Sequence, residues 1–145
     1  MMHYRYILTG LMLTANLAIA DEQVVVITNR DVPVETLDNN QVTQIFLRQV
    51  QSWPDGKTIQ PIDIKEGSAL RTEFYSKVTG RSPGQLRAYW ARQAFTGMGV
   101  PPRQAATEEE AERLVQTTPG AIGYVGKKEA DESVKIVLEP DKTAP

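Results

Sequence analysis

TIQPIDIKEGSALRTEFYSKV, residues 58–78, is the stretch that decides the fold. Residues 58–64 read as a strand, with Ile62 and Ile64 facing one way. Pro61 has no N–H to give to a ladder, so this strand is expected at a sheet edge or with a bulge. Lys65, Glu66 and Gly67 turn the chain. A helix then opens at Ser68, carries Leu70, Phe74 and Val78 on one face, and stops at Gly80. The first backbone N–H groups of a helix have no partner inside it, and the helix dipole adds partial positive charge there. A strand, a glycine turn and a serine-capped helix therefore outline an anion site.

Outward from this stretch, strands and helices alternate. QVVVIT, residues 23–28, is β-branched and reads as a buried strand. Thr36 or Asp38 caps a helix through about Arg48, with Val42, Ile45 and Phe46 on one face. Trp53, Pro54, Asp55 and Gly56 form a turn. Ser82, Pro83 and Gln85 are a cap, a first-turn proline and a capping-box partner. The helix they start runs to about Phe95, with a stripe of Leu86, Tyr89, Trp90 and Ala94, and residues 97–103 follow as a loop. Thr107 with Glu110 opens another helix, to about Gln116. Residues 121–125 and 134–138 read as the last two strands. The order predicts an α/β fold: a single domain with a mixed sheet flanked by helices.

Residues 1–20 read as a secretory signal peptide: Arg5, an apolar run, and the small-x-small end Ala18-Ile19-Ala20. Residues 21–145 are the expected domain. They carry 15 Lys/Arg against 18 Asp/Glu, unevenly spread. Residues 41–105 hold nine bases and four acids, and residues 106–145 hold five bases and nine acids. The middle can attract an anion, whereas an acidic chain with few clustered bases is no nucleic-acid binder. There is no cysteine, and the one histidine, His3, lies in the signal peptide. A thiol nucleophile, a histidine base and the usual zinc sites are excluded, so no enzyme, metal or cofactor is expected.

The candidate ligand residues follow from the turn. Ser68 has a hydroxyl to donate, and the amides of Ala69 and Leu70 face the helix mouth beyond Gly67. Lys65 and Arg71 flank the turn with positive charge. Asn29 closes the first strand and is expected near the same site, since ligands sit beyond the carboxyl ends of strands in open α/β sheets. Ser68 serves equally as a helix cap, and Arg71 as a surface residue. Arg87 and Arg92 lie off the apolar stripe and read as solvated, and Asp63 with Glu66 is a conceivable carboxylate pair.

Ile45-Phe46-Leu47, Trp53-Pro54-Asp55-Gly56, Glu66-Gly67-Ser68 and the block PGAIGYV at 119–125 occur in this order. Together they resemble the periplasmic phosphate-binding proteins of bacterial importers, and Ala88-Tyr89-Trp90 with Phe95-Thr96-Gly97 resembles a short branch of that family. The resemblance implies one lobe of a type II periplasmic solute-binding protein. It implies a bound phosphate or similar oxyanion, with Ser68 as a phosphate serine and Glu66 as the acid that accepts the proton of monohydrogen phosphate. It also implies a periplasmic location and a membrane transporter as partner. Where the family has glycine and threonine after the serine, this chain has Ala69 and Leu70. The alternative is therefore a binding lobe that has lost tight ligand binding and docks to a transporter or sensor protein. A homodimer is the other arrangement in which a second chain closes the cleft.

Overall fold

The computed structural model describes residues 23–142, so the expected signal peptide lies outside the described residues. Among them, no helix is long and apolar enough to cross a membrane. The elements are β1 (Val24–Thr28), α1 (Asn39–Phe46), β2 (Gln60–Ile64), α2 (Ala69–Phe74), α3 (Pro83–Thr96), β3 (Arg103–Ala105), α4 (Glu108–Thr117), β4 (Ala121–Gly126) and β5 (Lys135–Leu138). The five strands form one mixed sheet in the order β3-β2-β4-β1-β5. β2 runs parallel to β3 and β4, while β1 runs antiparallel to β4 and β5. This is the α/β domain with a mixed sheet that the alternating pattern implies.

Local signals set the helix ends. Asp38 caps α1 in a full capping box with Gln41, and Ser82 caps α3 in another with Gln85. α2 does not end at Phe74: residues Tyr75–Thr79 continue it as a π-turn before Gly80 stops it. Adjacent residues on β4 point to opposite faces of the sheet. Tyr124 stacks on Phe74 of α2 with centroids 3.9 Å apart, while Gly123 lies against Val115 of α4. Helices α2 and α4 thus cover opposite faces, and the sheet between them is buried. Phe46 joins Phe74 and Tyr124 to make an aromatic core under α2.

Three expectations need correction. β2 is not an edge strand: it lies between β3 and β4. Pro61 is tolerated there because the N–H of Gln60 bonds to Gly120 on the β4 side, and β3 begins only opposite Ile62. The missing donor of Pro61 faces the side where no strand yet stands. Next, the segment after α3 is not all loop, since residues Arg103–Ala105 pair with β2 as β3. Finally, α3 has no buried stripe. Leu86 is its one buried residue, Tyr89 and Trp90 are half-buried, and Ala94 is exposed.

Candidate functional site

β2 pairs with β4 only through Gln60 and Pro61. Beyond them the two strands lose their ladder, and side chains fill the gap. The N–H of Ile64 donates to the Asp63 carboxylate at 2.8 Å and to the Tyr124 hydroxyl at 3.1 Å. Asp63 is only 2% exposed. It also accepts from the Tyr75 hydroxyl at 2.7 Å and from the Tyr124 hydroxyl. Burial first, and then the charge of Asp63, pushes both tyrosines well above their ordinary range. They act here as fixed hydrogen-bond donors.

Arg71 completes this cluster from the first turn of α2. Its Nε lies 3.5 Å from Asp63 Oδ1, and its guanidinium sits 5.1 Å from the centre of the Tyr75 ring. Arg71 is 7% exposed. Its Nε is buried without a hydrogen-bond partner, and among the described residues the guanidinium donates no hydrogen bond. A buried charge with one loose counter-ion is costly to leave so.

The cluster opens outward into a cleft of about 240 Å³. Asp63, Glu66, Arg71, Arg87, Trp90, Pro101 and Gln104 line it. It sits past the carboxyl ends of the parallel strands β2 and β3, where open α/β sheets place ligands. Glu66 pairs with Arg87 at the rim, both well exposed, so Glu66 and Asp63 do not form a carboxylate pair with each other. Arg87 is therefore engaged with Glu66 and not simply solvated. Among the described residues, no group of acids or histidines is arranged to hold a metal ion.

Of the candidates read from the turn, only Glu66 and Arg71 line this cleft; Gly67, Ser68, Ala69 and Leu70 lie between them in the chain, Lys65 just before them, and none of these five is among its lining residues. Gly67 has a φ of +95°, the left-handed conformation that glycine adopts freely, and it lets the chain turn sharply into α2. Ser68 is half-buried, and its hydroxyl oxygen accepts from the N–H of Arg71 at 3.3 Å. It thus caps α2 and orients the turn that carries Arg71. The amides of Ala69 and Leu70 precede the first internal bond of the helix. The Leu70 side chain is packed in the core, while Lys65 and Ala69 are exposed.

Asn29 lies elsewhere. β1 is antiparallel to β4, so its carboxyl end meets the start of β4, at the opposite end of the sheet from the cleft. The Asn29 amide donates to the carbonyls of Val115, Gln116 and Thr118, and its oxygen accepts from the N–H of Asp31. It ties down the C-terminus of α4. Strand direction, which the sequence did not reveal, misplaced it. Asp63, Arg87 and Gln104 were the site residues least visible in sequence. The one available signal was an acid in the middle of an otherwise apolar strand.

A family model described as a PBP superfamily domain matches residues 15–139. No match arises among curated proteins. Solved structures share the fold, among them the following three. A protein described as a phosphate ABC transporter substrate-binding protein with bound phosphate, from Clostridium perfringens, is 23% identical with a TM-score of 0.65, over 79% of this chain and 44% of that one. An ABC-type phosphate transport receptor from Vibrio cholerae is 18% identical with a TM-score of 0.63, over 85% and 48%. PstS from Borrelia burgdorferi is 14% identical with a TM-score of 0.63, over 85% and 49%. The chain thus spans less than half the length of each.

Proposed function

The chain belongs to the PBP superfamily domain family, and from that premise we propose that it binds phosphate, or a related tetrahedral oxyanion, at the cleft beside Arg71. The observation that carries the reading is Arg71: a buried side chain whose guanidinium donates no hydrogen bond among the described residues, lining an open cleft at the carboxyl end of β2. An oxyanion there satisfies what Asp63 at 3.5 Å leaves loose. The reading is binding, not catalysis.

Each neighbour has a role in this proposal. Arg71 gives the charge-assisted bonds, and Arg87 and Lys65 add positive potential at the rim. The amides of Ala69 and Leu70 and the hydroxyl hydrogen of Ser68 donate from the turn that Gly67 shapes. Glu66 accepts the proton of a monohydrogen oxyanion, which favours phosphate over sulfate. The bound-phosphate relative from Clostridium perfringens supports the choice of ligand. The apolar leader at residues 1–20 and the same relatives support a periplasmic location and a membrane transporter as partner. A cleft walled on one side leaves the anion open to water, so affinity in an isolated chain is weak.

Calorimetric titration with phosphate, arsenate and sulfate tests this. Phosphate heat is expected in the wild type, absent in Arg71→Met, and weakened about tenfold in Ser68→Ala, the loss of one good hydrogen bond. No heat with any of the three anions refutes the reading. One observation favours the second reading, a lobe that docks to another protein: the exposed apolar end of α3, where Phe95 is 93% exposed.

A further inference from the structure

We propose that the protein pairs with a second copy of itself through an arm made of α3 and residues 97–102, and that pairing walls the open side of the cleft. The second half of this proposal rests on the oxyanion reading above. The first half stands alone.

α3 is a built element. It is 14 residues long, boxed by Ser82 and Gln85 at its start and closed by Gly97 in the left-handed conformation. Yet it is anchored only near its beginning, by Leu86 in the core, by the Tyr89 hydroxyl on the Leu47 carbonyl, and by Arg87 on Glu66. Past Trp90 it projects. Phe95 is 93% exposed, Met98 71% and Val100 69%. Three large apolar side chains at the tip of a well-capped projection mark a contact surface rather than a frayed end.

Charge selects the occupant. The arm and the first residue of β3, residues 83–103, hold three basic residues, Arg87, Arg92 and Arg103, and no acid; Arg87 is paired with Glu66. Arg92 and Arg103 make no ion pair within the described residues. Two such arms repel each other, so the arm does not pair with its own counterpart. The complement lies in the rest of the same chain, where nine acids face five bases from Glu108 onward. Glu109 on the exposed first turn of α4 and Glu132 in the turn between β4 and β5 also have side chains without an ion pair among the described residues. Each arm of a two-fold pair therefore docks on the acidic surface of the other copy, reciprocally, and the arrangement closes at two. The cleft shares this arm: Trp90 and Pro101 form its outer wall. Seating the arm against a second copy brings that copy's surface to the cleft mouth.

Sedimentation velocity on the chain without phosphate tests the pairing. A dimer is expected at about 50 mM salt, weakened at least tenfold at about 500 mM. The double variant Phe95→Ser with Met98→Ser is expected to be monomeric, with unchanged circular dichroism and melting temperature because both side chains are solvent-exposed. Arg92→Glu and Glu109→Lys each weaken the dimer about tenfold, and together they restore part of the loss. A wild type that stays monomeric at about 100 μM, or a dimer indifferent to the double variant, overturns the pairing. So does a monomer whose arm instead carries it to vesicles of anionic phosphatidylglycerol. Phosphate titration of the double variant tests the cleft claim. Affinity at least tenfold below that of the dimer supports it, and unchanged affinity overturns it. A dimer that gives no phosphate heat leaves the pairing standing and sinks only the oxyanion reading.

Discussion

Replacing Asp63 by asparagine should cost the fold about 3–5 kcal/mol. Asp63 accepts from the N–H of Ile64 at 2.8 Å, from Tyr75 at 2.7 Å and from Tyr124, and it faces Arg71 at 3.5 Å. Asparagine keeps the shape but has one acceptor oxygen in place of two. At least one tyrosine hydroxyl must then turn or go unpaired, and each hydrogen bond to a charged group is worth about 1.5–3 kcal/mol. The larger loss is Arg71, left 7% exposed with no counter-ion. A fold of this size is worth about 5–15 kcal/mol in all, so the change is easily read in urea unfolding, as a lower midpoint with an unchanged slope. A loss below about 1 kcal/mol refutes the reasoning, because it means that Asp63 does not neutralise Arg71. The variant also probes the cleft. With its internal counter-ion gone, Arg71 should hold an added oxyanion more tightly, so phosphate should raise the melting temperature of the variant more than that of the wild type.

Two further outcomes follow from other parts of the fold. Glu112 on α4 is 7% exposed, and burial above all, with the nearby Asp131 and Glu129 charges, pushes its carboxyl from 4.5 up to about 7, although it accepts the N–H of Asp131 at 3.0 Å. A folded-state value above the unfolded one favours the protonated form, so the stability it adds is complete below about pH 4.5 and is lost as pH rises through 7; unfolding from pH 5 to 8 should show a fall of up to about 3 kcal/mol that Glu112→Gln abolishes. At Gly120, φ is +77° and an added Cβ would lie 2.4 Å from the Thr58 carbonyl oxygen, so Gly120→Ala should cost about 2–4 kcal/mol in chemical unfolding, through backbone strain and the displaced Trp53 contact.

What the sequence revealed was mostly local. Asp38 with Gln41 and Ser82 with Gln85 announce their helices because a cap and its partner are three residues apart. The Gly67 turn and the Ser68 cap were legible for the same reason. β3 was not, because three residues, two of them polar, form a strand only when β2 lies beside them. The cleft was half legible. Glu66 and Arg71 were read from the turn, but Gln104 reaches it from β3, and Arg87 and Trp90 from α3. Asp63 and Tyr124 meet across 61 positions, and no periodicity encodes such a pair. Asn29 failed because a rule about strand ends needs strand directions, and those belong to the assembled sheet.

The sheet order has a consequence for how the molecule is made. β1 is the earliest of the described strands, yet it sits between β4 and β5, the last two of them. During synthesis it must wait for nearly the whole polypeptide before either neighbour exists. Its side chains are buried at all five positions, so until then they are a sticky, unpaired ribbon. High contact order of this kind makes folding slow and nearly all-or-none. A chain released early has only the short β2–β3 pair to fall back on.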